Sequence, residues 1–417
     1  MKLKKAINLK RHLIDFFKSH IFISILGSFL GIFSTAIFFI LLSRYLDHIY
    51  LAKFSLALLF FFATQQISLI GIDQNIIANT KYLKSKIIII DNKIFLLIYS
   101  ILFSILIFTL IFFVRKIFVI ELNLPDFVIL NISVILSLMN RTFQGYLQSC
   151  SKLFANAWVN FTRYLGYMIF IFIWFLKKEL NILFFFLFSE IFAFLIIVLI
   201  TFFIIGFEYS NKKIPYNLKY TYLGFSQFSY ESMFKLDLLT ISIFGNQKIL
   251  IYYTILSNVL EGVINFVSVS HPMIHNFMNK FKSNEVQDED IKLMNYINYF
   301  SIFILILIVP FYLFFNYLVF LEFVKTDYLL IALIFSSLLI FFRKVFLFYY
   351  FFSINNDPLA QLYFSMMMLI FNLSLNILLF KTIGIWGIAL ATLLTYFVSN
   401  IYINKYIIKY RDILKFI

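Results

Sequence analysis

The chain has 417 residues and a formal net charge of +15, yet only 13% of its residues are charged and 62% are hydrophobic. A soluble domain carries about a quarter charged residues, so this composition excludes an ordinary soluble protein and places the chain in lipid. The single cysteine, Cys150, excludes an internal disulfide and a cysteine-based metal cluster.

Apolar runs long enough to cross a bilayer recur along the whole chain. No small-residue cleavage site follows the first run, so residues 1–20 are expected to be a retained cytoplasmic segment. The hydropathy pattern predicts an all-α polytopic membrane protein with twelve transmembrane helices. The predicted spans are 21–42, 54–78, 87–113, 127–147, 155–176, 182–206, 223–244, 250–270, 297–318, 328–350, 359–380 and 384–404.

The distribution of Lys and Arg predicts the orientation. With the N-terminus inside, the cytoplasmic segments hold 24 of these residues and the outer segments hold 9. By the positive-inside rule, both termini are therefore predicted to be cytoplasmic. The net positive charge is accounted for by this topology and by attraction to anionic lipid, so no nucleic-acid partner is expected.

A weak internal repeat predicts two lobes of six helices each. The segment "RYLDHIYLAKFSLAL" (44–58) aligns with "FGNQKILIYYTILSN" (244–258), and each opens the span that follows it. Two such halves are a common transporter plan. The predicted division is an N-terminal lobe at 1–207, a cytoplasmic linker at 208–222 and a C-terminal lobe at 223–417.

Several spans carry polar residues at helical spacing, whereas spans three, six, nine and twelve are almost purely apolar. The fourth span aligns Ser133, Ser137, Asn140 and Gln144, with Arg141 beside them. The other polar faces comprise Asn156, Asn160, Arg163 and Tyr167 on span five, Gln66 and Asp73 on span two, Ser257, Glu261 and Ser268 on span eight, and Gln361, Ser365, Asn372 and Asn376 on span eleven.

These faces allow two interpretations. Ser, Asn and Gln can simply join helices, and Glu231 can neutralise Lys235 one turn away. Taken together, however, the faces predict a hydrated central cavity with a basic midplane, suited to an anionic cargo. Arg163 is the strongest argument for the cavity. Placing an arginine at this depth in the bilayer costs about 2.5 kcal/mol or more in free energy, and no carboxylate lies one turn away from Arg163 on its helix.

Three segments resemble the Wzx polysaccharide flippases. They are "LLSRYLDHIYLAKFSLALLFFFATQQISLIGIDQNIIANT" (41–80), "KLDLLTISIFGNQKILIYYTILSNVLEGV" (235–263) and "DPLAQLYFSMMMLIFNLSLNILLFKTIGIWGIALATLLTYFV" (357–398). The matching positions are Gly71, Asp73, Asp237, Asn372, Asn376, Gly384, Gly387, Ala389 and Thr392. The chain departs from the family pattern at "HIY" (48–50), where an acidic segment is usual, and in its acidic loop at 285–290.

The resemblance implies a flippase of the multidrug/oligosaccharidyl-lipid/polysaccharide (MOP) exporter superfamily in the bacterial inner membrane. Such a protein moves undecaprenyl-pyrophosphate-linked oligosaccharide units, for O-antigen or capsule synthesis, from the cytoplasmic to the periplasmic leaflet. Neither a cofactor nor a metal is expected, since the sequence shows no Gly-rich phosphate loop and no metal-ligand motif. A polysaccharide polymerase and a chain-length regulator are the expected protein partners.

The predicted site residues divide into two groups. Those expected to bind the pyrophosphate and the sugars are Arg163, Lys235, Arg141, Asn160, Asn156, Gln144, Asn372, Arg343 and Lys344. Those expected to couple transport to a proton or sodium ion are Glu231, Asp237, Glu261 and Asp73, which the sequence does not rank. Glu190, on an apolar span, is predicted to be a satisfied buried group.

Two other classes of protein stay open at this stage. A membrane-embedded glycan polymerase, ligase or glycosyltransferase needs a large outer loop or an acidic catalytic motif, and no predicted outer connection exceeds about fifteen residues. A drug/cation antiporter of the same superfamily would favour an acidic cavity. His271 and His275 lie one turn apart without a third ligand, and are predicted to lie on the cytoplasmic surface.

Overall fold

A computed structural model gives the fold. It describes residues 20–69, 87–89, 91–149, 153–201, 207–209, 233–268 and 358–407, with isolated positions at 72, 222, 224–226, 229 and 310. The α-helices in these residues are α1 (His20–Tyr45), α2 (His48–Leu69), α3 (Asp91–Phe113), α4 (Leu124–Ser149), α5 (Leu153–Leu176), α6 (Phe184–Ile200), α7 (Met233–Phe244), α8 (Gln247–Ser268), α9 (Pro358–Ile383) and α10 (Ile385–Ile407).

These helices fall on ten of the predicted spans, and the spans predicted at 297–318 and 328–350 lie outside the described residues. Within the described residues, α2, α4, α5, α9 and α10 are long and apolar enough to cross a membrane. The fold class is thus that of an all-helical polytopic membrane protein. The full number of spans and the cytoplasmic termini stay predictions.

Two short strands form the described β-structure, which the hydropathy pattern did not predict. Strand β1 (Ile87–Ile89) pairs in parallel with β2 (Phe207–Tyr209), so that Ile88 lies opposite Glu208. Because β1 directly precedes α3 and β2 follows α6, the start of α3 and the end of α6 lie at the same end of the first unit. The predicted topology places both of these points on the cytoplasmic side.

The chain divides into two compact units. The first comprises Met1–Phe38, Thr64–Phe113 and Leu122–Asn217, and the second comprises Phe39–Ala63, Val114–Glu121 and Leu218–Ile417. The boundary between Asn217 and Leu218 lies within the linker predicted at 208–222, whereas the assignment of 39–63 and 114–121 to the second unit was not predicted. The predicted domain bounds stay a prediction.

Side-chain caps fix where the helices of the first unit begin. At the start of α4, Asp126 accepts a hydrogen bond from the Asn123 backbone N–H at 2.9 Å, and Pro125 occupies a position where no N–H is needed. The other oxygen of Asp126 accepts from Asn181 Nδ2 at 2.9 Å, and Asn181 Oδ1 accepts from the Leu183 N–H at 3.0 Å where α6 begins. One buried carboxylate therefore ties the starts of α4 and α6 together.

An aromatic cluster packs α1, α5 and α6 at the same end of the first unit. The Phe38 and Phe185 rings stack with centroids 4.9 Å apart, and the Trp174 ring meets Phe38 edge-on at 5.5 Å. Tyr167 stacks on the other side of Phe185 at 4.1 Å. Close helix contact continues along α5, because a Cβ at Gly166 would lie 2.8 Å from the Ser189 Cα. The α5–α6 interface is consequently tight along the turns that carry the first site.

Candidate functional sites

The first site is a buried polar cluster where α4, α5 and α6 meet in the first unit. On α4, Ser133, Ser137, Asn140 and Gln144 are all buried, as the helical spacing predicted. The polar face of α5 contributes Arg163, which is 7% exposed. Placing these groups on facing helices brings Gln144, Asn160 and Arg163 together.

The guanidinium of Arg163 has neutral and charged partners. Its Nη1 donates to Asn160 Oδ1 at 3.0 Å and its Nη2 donates to Gln144 Oε1 at 3.4 Å. Gln144 Nε2 also donates to Asn160 Oδ1 at 2.8 Å. The Arg163 Nε lies 3.0 Å from Glu190 Oε1. The arginine is therefore anchored by two amide oxygens and one carboxylate.

Glu190, which is 1% exposed, is held from a second side by α4. Asn140 Nδ2 donates both to Glu190 Oε2 at 2.7 Å and to the Glu190 backbone carbonyl at 2.9 Å. The expectation that Glu190 is a satisfied buried group is confirmed. As the sequence indicated, the helix of Arg163 has no carboxylate one turn away, but α6 supplies Glu190 as a counter-ion that was not predicted. A lone buried charge is far costlier than a paired one.

Polar atoms without hydrogen-bond partners lie on the same helices. Among the described residues of α4 and α5, the Oδ1 atoms of Asn140 and Asn156 and the Nε of Arg141 are buried and have no such partner. Arg141 and Asn156 as whole residues are half-buried. Buried polar atoms are rarely left unbonded in native proteins, so these three atoms are candidate partners for water or for a polar ligand.

The second site surrounds Asp237 on α7, in the second unit. This carboxylate is fully buried. Its Oδ2 accepts from Tyr253 Oη and from Thr392 Oγ1, both at 2.7 Å, and its Oδ1 accepts from Asn376 Nδ2 at 2.7 Å. Three neutral donors thus hold the charge, and no ion pair to Asp237 occurs within the described residues.

Asn372 belongs to this second cluster. Its Oδ1 accepts from Asn376 Nδ2 at 3.0 Å and its Nδ2 donates to Thr392 Oγ1 at 3.1 Å. The Oδ1 of Asn376 is buried and has no hydrogen-bond partner. The predicted sugar-binding residue Asn372 therefore lies beside Asp237, a residue predicted for ion coupling.

Lys235 lies two residues before Asp237 and has a different environment. It is half-buried, and its ammonium lies 5.1 Å from the centroid of the Phe62 ring, within cation–π range. Residues two positions apart on an α-helix point to different sides of it, and the different environments of Lys235 and Asp237 agree with that.

The other predicted site residues are not described. Asp73, Glu231, Arg343 and Lys344 lie outside the described residues, and Glu261 lies in α8 with its side chain outside them. Five described participants were not predicted as site residues: Asn140, Glu190, Tyr253, Asn376 and Thr392. Asn140 and Asn376 lie on predicted polar faces, and Thr392 lies in a segment that resembles the flippases. For Glu190, the sequence feature that could have indicated a role in the site is an isolated charge on an apolar helix. For Tyr253 no sequence feature indicates such a role, because tyrosine is common throughout this chain.

Neither a protein-family model nor a curated protein sequence matches the chain. Solved structures do. An outward-facing multidrug resistance MATE transporter of the MOP superfamily is 13% identical with a TM-score of 0.56 and covers 95% of this chain and 96% of its own. A mutant MATE transporter from Vibrio cholerae is 12% identical with a TM-score of 0.58, covering 95% and 98%.

A third similar structure is a MOP-superfamily transporter from Pyrococcus furiosus, described as having a binding pocket of reverse polarity that suggests a different function. It is 11% identical with a TM-score of 0.57 and covers 94% of this chain and 96% of its own. At such low identity the likeness establishes the fold alone. The chain has the fold of the MATE transporters of the MOP superfamily.

Proposed function

We propose that the chain is a flippase that moves undecaprenyl-pyrophosphate-linked oligosaccharide units from the cytoplasmic to the periplasmic leaflet of the bacterial inner membrane by alternating access. The observation that carries the proposal is the polar face of α4 and α5. There Arg163 sits between the amides of Gln144 and Asn160, with the unbonded polar atoms of Arg141 and Asn156 on the same helices.

This face has the chemistry that the cargo requires. Amide groups can both donate to and accept from sugar hydroxyls. An arginine can engage a phosphate through two parallel hydrogen bonds, and more strongly in a poorly hydrated site than in water. The polyprenyl chain would stay in the lipid. A fold shared with known transporters and the segments resembling Wzx flippases support the same assignment.

The cluster around Asp237 is proposed to couple transport to a cation. It gathers the carboxylate, the hydroxyls of Tyr253 and Thr392, and the side-chain oxygens of Asn372 and Asn376. Oxygen atoms of this kind suit a hard cation such as sodium, and the carboxylate alone suits a proton. One elementary charge crossing 100 mV supplies about 2.3 kcal/mol. Asp237 is the one predicted coupling residue whose side chain the structure describes, and it is fully buried.

A genetic experiment tests the proposed function. In a strain lacking the gene, undecaprenyl-linked repeat units should accumulate on the inner leaflet, and the wild-type chain should restore their export. Lys235→Gln and the double variant Arg163→Gln with Glu190→Gln should restore it poorly at normal protein levels. Unimpaired export by both variants would exclude an anion site at these positions.

A drug/cation antiporter is the second candidate. Its support is the MATE fold together with Asp237, a buried carboxylate whose described partners are all neutral and which a cationic drug could neutralise. Resistance to cationic drugs that depends on Asp237, in a strain whose repeat units are exported normally without the gene, would favour the antiporter over the flippase.

A further inference from the structure

The ion pair between Arg163 and Glu190 is close but poorly directed. The Arg163 Nε and Glu190 Oε1 atoms are 3.0 Å apart, yet the Nε–H has no hydrogen-bond acceptor. The close contact joins Nε to Oε1, whereas Oε2 accepts a hydrogen bond from Asn140. The two parallel hydrogen bonds that make arginine–oxyanion pairs strong are therefore not formed between Arg163 and Glu190. A phosphate group offers three oxygens to the same guanidinium and can make that geometry.

The Glu190 carboxylate also accepts a hydrogen bond from a residue other than Arg163. Asn140 Nδ2 donates to Glu190 Oε2 at 2.7 Å and also to the backbone carbonyl of Glu190. A carboxylate that moves away from the guanidinium therefore keeps a charge-assisted hydrogen bond. The only other titratable group that described contacts place beside this pair is Tyr167, one turn along α5 from Arg163, whose ring stacks on Phe185.

The remaining contacts of the guanidinium would survive such an exchange. Asn160 and Gln144 accept hydrogen bonds from Nη1 and Nη2 through neutral amide oxygens. Because these oxygens carry no net charge, they do not repel an incoming anion as the Glu190 carboxylate does. Asn160 is half-buried, as are Asn156 one turn before it and Arg141 on α4. These three residues are thus less deeply buried than Glu190, which is 1% exposed.

We propose that Glu190 is an exchangeable counter-ion: an incoming phosphate or pyrophosphate group replaces it on Arg163, while Asn140 retains the displaced carboxylate. This inference rests on the proposed anion-binding role of Arg163 and deepens it. In the empty transporter Glu190 neutralises the arginine. It also makes the site selective, because only an anion that binds the guanidinium better than one carboxylate oxygen does can enter.

The test measures binding of inorganic pyrophosphate to the full-length protein in nanodiscs by calorimetry. Removing a competing carboxylate with Glu190→Gln should tighten binding by at least about tenfold. The double variant Arg163→Gln with Glu190→Gln should bind no pyrophosphate. Glu179→Gln is the matched control, since it removes the same charge from an exposed position just before α6 and should bind like the wild type.

Equal binding by the wild type and Glu190→Gln would overturn the exchange, as would tight binding by the double variant. A parallel measurement with undecaprenyl pyrophosphate in the nanodisc distinguishes a lipid head group from free pyrophosphate as the ligand. If Glu190→Gln tightens binding of the lipid but not of inorganic pyrophosphate, the exchange is supported and the site is assigned to a membrane head group. If Glu190→Gln folds poorly, pyrophosphate should raise its melting temperature more than that of the wild type. The genetic test of export is independent of all these outcomes.

Discussion

At the scale of single residues, the two sites differ in how they hold a buried charge. Arg163 has a counter-ion of opposite charge, whereas Asp237 has hydroxyl and amide donors only. A buried ion pair adds little net stability, but removing one partner leaves an uncompensated charge. This difference determines which substitutions test function and which mainly test folding.

Arg163→Gln alone is expected to destabilise the protein by about 3–5 kcal/mol, because it leaves Glu190 buried and unpaired. The double variant Arg163→Gln with Glu190→Gln should recover most of that loss, since neither charge remains. Thermal unfolding of the four proteins of this double-mutant cycle measures the coupling. Additive losses in the double variant would mean that the two side chains do not interact.

Asp237→Asn is expected to uncouple transport from the cation gradient, lowering gradient-driven transport in vesicles by about tenfold, which corresponds to about 1.4 kcal/mol. Asparagine keeps the size of the side chain and one acceptor for Tyr253 or Thr392, but it loses the charge that a cation requires. Asp47→Asn provides the control, because Asp47 is exposed. Gradient-dependent transport at the wild-type rate by Asp237→Asn would remove Asp237 from the coupling step.

At the scale of secondary-structure elements, most helices could be predicted from hydropathy and most contacts between them could not. The buried face of α4 follows directly from the spacing of its polar residues. The pairing of Arg163 with Glu190 depends on the rotation and relative height of α5 and α6, which no periodicity encodes. Likewise, the pairing of the two three-residue strands could not be predicted. It depends on backbone hydrogen bonds, and an apolar sequence such as Ile87–Ile89 does not indicate with which segment it will pair.

Gly166→Ala tests whether the close approach of α5 and α6 positions the ion pair. The added Cβ would lie 2.8 Å from the Ser189 Cα and 3.0 Å from the Phe188 carbonyl oxygen, both backbone atoms that can yield only if the helices separate. We expect a loss of about 1–3 kcal/mol in unfolding free energy and weaker coupling in the Arg163–Glu190 cycle.

Gly27→Ala is the matched control for this prediction. At Gly27 the added Cβ would lie 3.4 Å from its nearest neighbours on α5, an ordinary contact, so the substitution should be neutral or stabilise α1 by up to about 1 kcal/mol. Chemical denaturation measures both variants. If Gly166→Ala behaves like Gly27→Ala, the α5–α6 contact is looser than these distances indicate.

At the scale of the whole molecule, the predicted orientation can be tested with residues that the structure describes. Replacing Cys150 by alanine gives a background for single cysteines. An impermeant maleimide should label Asp47→Cys and Glu179→Cys in intact spheroplasts, but should label Ser149→Cys only after lysis, because the topology places 47 and 179 outside and 149 inside. Labelling with the opposite pattern would invert the orientation and with it the direction of cargo entry.

The parallel pairing of β1 and β2 has a consequence for the segment it encloses. Adjacent strands lie about 4.8 Å apart. The two ends of the segment from Ile87 to Tyr209 are therefore close together in space. Helices α3 to α6 carry the whole Arg163 cluster, and the two strands that flank them in sequence hold the ends of this segment together. A proline at position 88, the middle of β1, should weaken this pairing, because proline has no backbone N–H and is poorly tolerated within a strand.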